Sequence, residues 1–332
     1  MPSMQYLCSA IRPSSLGRIM EPFRRERHTR HKAGDDMWWH TLTQVDPSTQ
    51  RHTPITFGLV SITLSKISVS DALNLIKLSP RLVSCTFRLT HGYLIPPDFT
   101  QQTKEYIIHE NLRHLCIYIT ESLCTVFFAE ITLPCLVKLH YVAEHLTART
   151  RDNTVQVIPG EGRDFIAFFQ RSAFPLKQLT LDSVAFPYGF VSSLLREVPS
   201  ITQLCLKHSS SLLPLFTLLL VEISESAGKQ ESIPDVSSPI ILPLLQSISF
   251  TVDKFIFPFY RVPSVFGPLA HFNSPYRRPL RSFTVNTSAK HPQPPISPDI
   301  IVRLLELREA GANIQLNGFG SDPLILDQEE TL

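Results

Sequence analysis

The sequence predicts an α/β fold, an irregular leucine-rich-repeat solenoid with a ribbon of parallel strands and helices on its convex side. Three observations predict it. The pattern L-x-x-L-x-L, with conservative replacements, can be laid along the chain eight times. Proline stands one or two residues before six of those copies. The order strand, turn, helix, proline, strand recurs at spacings of 23 to 25 residues, inside the range of roughly 20–29 expected of leucine-rich repeats.

The pattern alone decides little. In a chain that is 43% hydrophobic, three specified apolar positions recur by chance about 26 times. The triplets gain weight from their order and punctuation. They are Leu59/Ile62/Leu64, Leu82/Cys85/Phe87, Leu112/Leu115/Ile117 and Leu136/Leu139/Tyr141, then Leu176/Leu179/Leu181, Ile201/Leu204/Leu206, Leu245/Ile248/Phe250 and Leu280/Phe283/Val285. Before them stand Pro80, Pro134, Pro175, Pro199, Pro243 and Pro279. Proline disfavours helix in the residue before it, so each ends one helix and releases an extended segment.

The first unit reads as a strand over 59–64, a turn over 65–69 and a helix over 70–78. Ser70 is placed as its N-cap, and Ala72, Leu75, Ile76 and Leu78 form its apolar stripe. "ESLCTVFFAEITLP" offers Leu123, Val126, Phe127 and Ile131 at similar spacing, and "GFVSSLLREVP" offers Phe190, Val191, Leu194, Leu195 and Val198. "SLLPLFTLLLVEI" (211–223) contains Pro214 and is shorter than the roughly 20 residues of a membrane span, so it reads as a buried helix. In "PDIIVRLLELREAGANIQL" (298–316), Asp299 would cap a helix striped by Ile301, Leu304, Leu305 and Leu307. Gly311 would end it before a last extended segment. The polar stretches 147–164, 224–239 and 286–299 read as loop insertions.

These readings divide the chain into a basic tail (1–37), a repeat domain (38–316) and a C-terminal tail (317–332). The tail carries "FRRERHTRHK", a compact basic run that reads as solvated. Leu42 and Val45 would form a degenerate first repeat or a cap. A net charge of +2 gives no reason to expect a nucleic-acid partner. The six cysteines show no C-x-x-C spacing, and five fall in apolar segments, the usage of a reducing compartment. No secretory signal is visible, so the expected location is cytoplasmic or nuclear, with no membrane partner.

The sequence offers no chemistry of its own. H-E-x-x-H, G-x-S-x-G, G-x-x-x-x-G-K-[ST] and G-x-G-x-x-G are all missing. "GEGRD" (160–164) follows no strand, which argues against a phosphate loop. We therefore expect no enzyme, no cofactor and no metal. In an L-x-x-L-x-L strand the leucines point inward and the residues between them face the concave side. That gives a candidate partner-binding ribbon of His114, Cys116, Lys138, His140, Gln178, Thr180, Gln203 and Cys205, flanked by serines and threonines. It reads as polar, nearly neutral and without an aromatic. His114, Cys116 and His140 fall on adjacent strands, but no close ligand spacing supports a zinc site.

The phrases "WWHTLTQV", "ISVSDALNLIKLSPRLVSCTF", "FPLKQLTLDSV", "FVSSLLREVPSITQLCL" and "LLQSISF" resemble the leucine-rich half of the F-box-like proteins of mushroom-forming fungi. The resemblance covers residues 38 to 316 and keeps the order of the phrases. It implies an irregular solenoid that recognises a protein substrate for a cullin-type ubiquitin ligase, coupled through an N-terminal F-box that binds the ligase adaptor. Residues 1–37 hold no F-box segment of the type Leu-Pro-x-Glu followed by paired apolar residues. The repeats also place Ile67, Thr90, Thr120 and Val184 where the Asn ladder of a regular horseshoe would stand. Other readings of the same residues are a free-standing repeat scaffold, a truncated gene product, and an enzyme whose site carries no known motif.

Overall fold

The computed structural model describes residues 43–45, 52–54, 58–90, 106–144, 161–183, 188–207, 217, 219–224, 241–252, 256–274, 278–287, 293–318 and 324. Their centre is one nine-stranded sheet: β1 (Ser61–Ile67), β2 (Ser84–Leu89), β3 (His114–Ile119), β4 (Lys138–Ala143), β5 (Gln178–Asp182), β6 (Gln203–Lys207), β7 (Ser247–Val252), β8 (Ser282–Thr287) and β9 (Asn313–Asn317). Every neighbouring pair is parallel, and the strands stand in the order in which the chain makes them. The sheet does not close, which leaves β1 and β9 as its edges. Between strands run α1 (Val69–Leu78), α2 (Glu121–Glu130), α3 (Glu161–Ser172), α4 (Tyr188–Glu197) and α5 (Pro298–Glu309). The molecule is an α/β protein.

The register explains why the triplets matter. Their second positions pair in one unbroken row across the sheet: Ile62, Cys85, Leu115, Leu139, Leu179, Leu204, Ile248 and Phe283, completed by Ile314. The third positions make a parallel row from Leu64 through Phe87 and Tyr141 to Val285 and Leu316. From β2 onward both rows are buried, and they merge with helix residues such as Ile76, Phe128, Phe165, Leu194 and Leu304 into one core. A one-residue slip would turn every one of these side chains to the other face. The apolar alternation therefore fixes the pairing of strands up to 44 residues apart.

The prolines have a sharper role than ending helices. Leu82 N–H donates to Ser79 O, Leu136 to Leu133, Ile201 to Val198 and Leu245 to Leu242. Each is a β-turn with Pro80, Pro134, Pro199 or Pro243 at its second position, where the fixed proline φ suits the turn. Just after the turn, one carbonyl accepts two successive N–H groups of the next strand. Val60 O takes Val83 and Ser84 N–H, Val83 O takes Arg113 and His114, and Gln246 O takes Arg281 and Ser282. The same backbone device recurs down the sheet.

Several helix expectations need correction. The N-cap of α1 is Ser68, not Ser70: its Oγ accepts from Asp71 N–H at 3.1 Å and donates to the Asp71 carboxylate at 2.7 Å. That S-x-x-D arrangement satisfies an open helix donor with a nearby side chain. In α2 the buried face is Leu123, Cys124, Phe127 and Phe128, while Val126 is exposed and Ile131 begins a short strand with Thr132. That strand pairs with Ile107–Ile108.

The segment read as a loop ending at 164 opens α3 at Glu161. Phe165, Phe168 and Phe169 from α3 then pack on Phe128 and Phe174, with ring centroids 4.7 to 5.4 Å apart along the chain of contacts. Each fully buried Phe contributes about 1.5–3 kcal/mol. The α5 cap position is Ser297 rather than Asp299, with Pro298 at the first helical position. Gly311 does end α5, at φ 100°, where Gly311 N–H meets Arg308 O and Ala312 N–H meets Leu307 O.

At the ends, Thr43–Val45 pairs antiparallel with His52–Pro54 in a separate small sheet, so this segment adds no strand to the main one. β9 runs through Asn317, the first residue of the stretch read as the C-terminal tail, and Leu324 in that stretch is buried. The basic run 23–32 and the tail 1–37 lie outside the described residues, as do 211–216 and 225–240. In the apolar run near 211–223, residues 219–224 are helical, and Leu219, Leu220 and Ile223 are buried. No described helix is long and apolar enough to cross a membrane.

Candidate functional site

Alternation along each strand sends the residues between the core rows to the opposite face. Those outward residues are half-buried or exposed, apart from Thr180, which is buried. All eight ribbon residues named from the sequence lie there. His114, Lys138, Gln178 and Gln203 stand side by side in one row across β3–β6. Cys116, His140, Thr180 and Cys205 form the next.

The structure adds a third row that the sequence reading missed. The strands run beyond the last leucine of each triplet, and this brings out Arg88, Tyr118, Val142, Asp182 and Lys207. The same alternation carried two residues further would have found them. The face is consequently not free of aromatics: Tyr118 stands on it, among Arg88, Lys138, Lys207 and Asp182.

These residues form a connected cluster. Arg88 pairs with Glu144 and lies over the Tyr118 ring at 5.6 Å from its centroid. The Tyr118 and His140 rings are 6.2 Å apart at 53°. Cys116 Sγ is 3.5 Å from His140 Nδ1, and His140 Nε2 is 3.9 Å from Asp182 Oδ2. The Nε2 atom is shut off from solvent and has no hydrogen-bond partner; 3.9 Å is an electrostatic contact rather than a bond. Asp182 Oδ1 accepts from Ser183 Oγ at 3.0 Å.

Burial sets the protonation of the cluster. It pushes the Cys116 thiol up, against hydrogen bonds from Tyr118 and Thr86 and the charge of Lys207. It pushes His140 down, helped by Lys207 and opposed by Asp182. His114 is also held down, by burial first and then by Lys138 and Arg113. Tyr118 is raised by the neighbouring Cys116 and then by burial. Cys205 is raised by burial. The centre of the face is thus a set of neutral thiols and imidazoles beside fixed charges.

Cys116 and Asp182 sit at opposite edges of the His140 ring and cannot ligate one ion together with it. Among the described residues no three His, Cys, Asp or Glu side chains gather as a metal site.

No family model matches the chain, and no curated protein matches it.

Proposed function

We propose that the protein is a non-enzymatic interaction module, an irregular leucine-rich-repeat solenoid whose open sheet face is the concave side and receives another protein. The strand order, the 23–25-residue spacing of the shortest units and the burial of helices against the opposite face support the solenoid reading. Stacked units that each contact only their neighbours build extended surfaces of this kind.

One observation carries the functional reading. Titratable and aromatic side chains collect on the outward face of β3–β6, whereas β7–β9 present only hydroxyls and amides there. Four strands span about 14 Å at the usual spacing. That surface suits a peptide segment or helix better than a small molecule, which calls for a concave apolar pocket.

By its resemblance to fungal F-box-like repeats, the module serves as the substrate-recognition part of a cullin-ligase subunit in the cytoplasm or nucleus. A free-standing scaffold is the second reading, since the outward face of β3–β6 can receive a protein without a ligase adaptor. Affinity purification of the tagged chain from its native cells separates the two. Recovery of the ligase adaptor with specific proteins is the expected result. Recovery of specific proteins without the adaptor would leave only the scaffold, and recovery of neither would overturn both readings.

A further inference from the structure

We propose that Cys116 is an acyl-acceptor thiol, with His140 as its general base and Asp182 as the positioning residue, and that activated esters or thioesters modify it. This goes beyond the docking role and stands whether or not the face binds a protein.

The geometry comes first. Cys116 and His140 are register partners on β3 and β4, so the sheet holds sulfur and imidazole together. The thiol faces Nδ1 at 3.5 Å. The carboxylate of Asp182, on β5, faces the other ring nitrogen at 3.9 Å. Thiol, imidazole and carboxylate in line is the arrangement that nucleophilic catalysis requires, whatever the fold around it. Catalytic hydrogen bonds are commonly long in an unliganded protein and tighten on binding.

The solvent-shielded, unpartnered Nε2 is a second, separate sign. Such an atom calls for an explanation. A small turn of the ring toward Asp182 would satisfy it. Cys205 lies on the same face, but its register partners are Thr180 and Ser249, neither of which carries an imidazole.

The step balances without an oxidant or reductant. As sulfur attacks the carbonyl carbon, the C–S bond forms and the S–H proton passes to His140 Nδ1. Collapse of the adduct breaks the bond from carbon to the leaving alkoxide or thiolate, which takes the proton back from Nδ1. The products are S-acyl Cys116 and an alcohol or thiol. Thr86, the register partner of Cys116 on β2, and Tyr118, two residues along β3, are the nearby hydroxyls that can donate to the developing oxyanion; the neighbouring strand amides are held in the sheet ladder. A depressed imidazole is unprotonated at neutral pH and ready to act as base, while a raised thiol keeps its proton until attack.

The test is acylation of the full chain by p-nitrophenyl acetate, read by peptide mass mapping from pH 5 to 10. Cys116 should be acylated at least about tenfold faster than Cys205 at pH 7, and His140→Ala should lower that rate by about 100-fold. The groups facing His140 are Cys116 and Tyr118 on β3, Asp182 on β5 and Lys207 on β6. In the unaltered protein the rate should rise through a midpoint below 6.5, the ordinary histidine value. In His140→Ala the rise should instead follow the thiol, above 9.0.

Asp182→Asn should move the midpoint lower still, because the carboxylate holds His140 up. Equal rates at Cys116 and Cys205, or an unaltered protein whose rate rises only above pH 9.0, would overturn the proposal. Since that profile needs no variant, a poorly folding substitution cannot mask the answer.

Discussion

The central strands β3–β6 and the C-terminal strands β7–β9 share a backbone and a core, yet they show solvent different chemistry. Outward from β7–β9 point Ser247, Ser249 and Thr251, then Ser282, Thr284 and Asn286, then Asn313, Gln315 and Asn317. Every one is a hydroxyl or an amide. The matching positions of β3–β6 carry two histidines, two cysteines, a tyrosine, two lysines and an aspartate. Inward, both regions offer the same kind of residue: Leu139, Leu179 and Leu204 in one, Ile248, Phe283 and Ile314 in the other. Register and stability are set on the covered face, which leaves the open face free to specialise by region.

The largest effects should ignore the regional difference. Phe165→Ala beneath the central strands and Phe283→Ala in β8 should each cost about 3–5 kcal/mol, because both rings are fully buried in one continuous core. Urea unfolding followed by circular dichroism checks this. A cost for only one of them would split the core into independent halves.

A smaller effect belongs to the C-terminal region alone. Leu242 opens its proline turn at φ 50°, a strained value for leucine that the first residues of the other three turns do not share. The buried Arg278 guanidinium donates to Leu242 O, Ile241 O and Ile223 O at 2.6 to 3.0 Å. Arg278→Ala should cost about 2 kcal/mol through the carbonyls it leaves without those donors. Faster hydrogen exchange confined to β7 and β8 would localise the damage.

Much of this architecture was legible in the chain because strand alternation is a strong signal when both core rows are apolar. The eight triplets and the final extended segment map onto nine strands in register. Three things were not legible, each for a physical reason. Helix α3 begins with the polar "EGRD", which resembles a loop until Phe165 shows the helical spacing. The cap of α1 moved to Ser68 because a serine three residues before an acid makes the better reciprocal pair. The third outward row was cut off by expecting a turn after each triplet's last leucine; the backbone pairing instead continues, with Thr90 N–H on Ile67 O and Glu144 N–H on Ile119 O. Asp182 and Lys207 lay just beyond that cut. Their electrostatic influence on His140 joins residues 42 and 67 positions apart, a distance no local pattern reveals.

If binding belongs to the middle of the open face, two multiple variants will tell that region from the C-terminal one. One replaces Lys138, Gln178, Gln203 and Lys207 by alanine; the other replaces Ser247, Ser282, Asn313 and Gln315. All eight side chains are outward and at least partly exposed, so each change should alter stability by less than about 0.5 kcal/mol. Partners captured by the unaltered chain are then quantified on both. At least about a tenfold loss is expected on the central variant, the weight of a few anchor residues, with retention on the C-terminal one. Equal retention on both, or loss on the C-terminal variant alone, would contradict that assignment of binding.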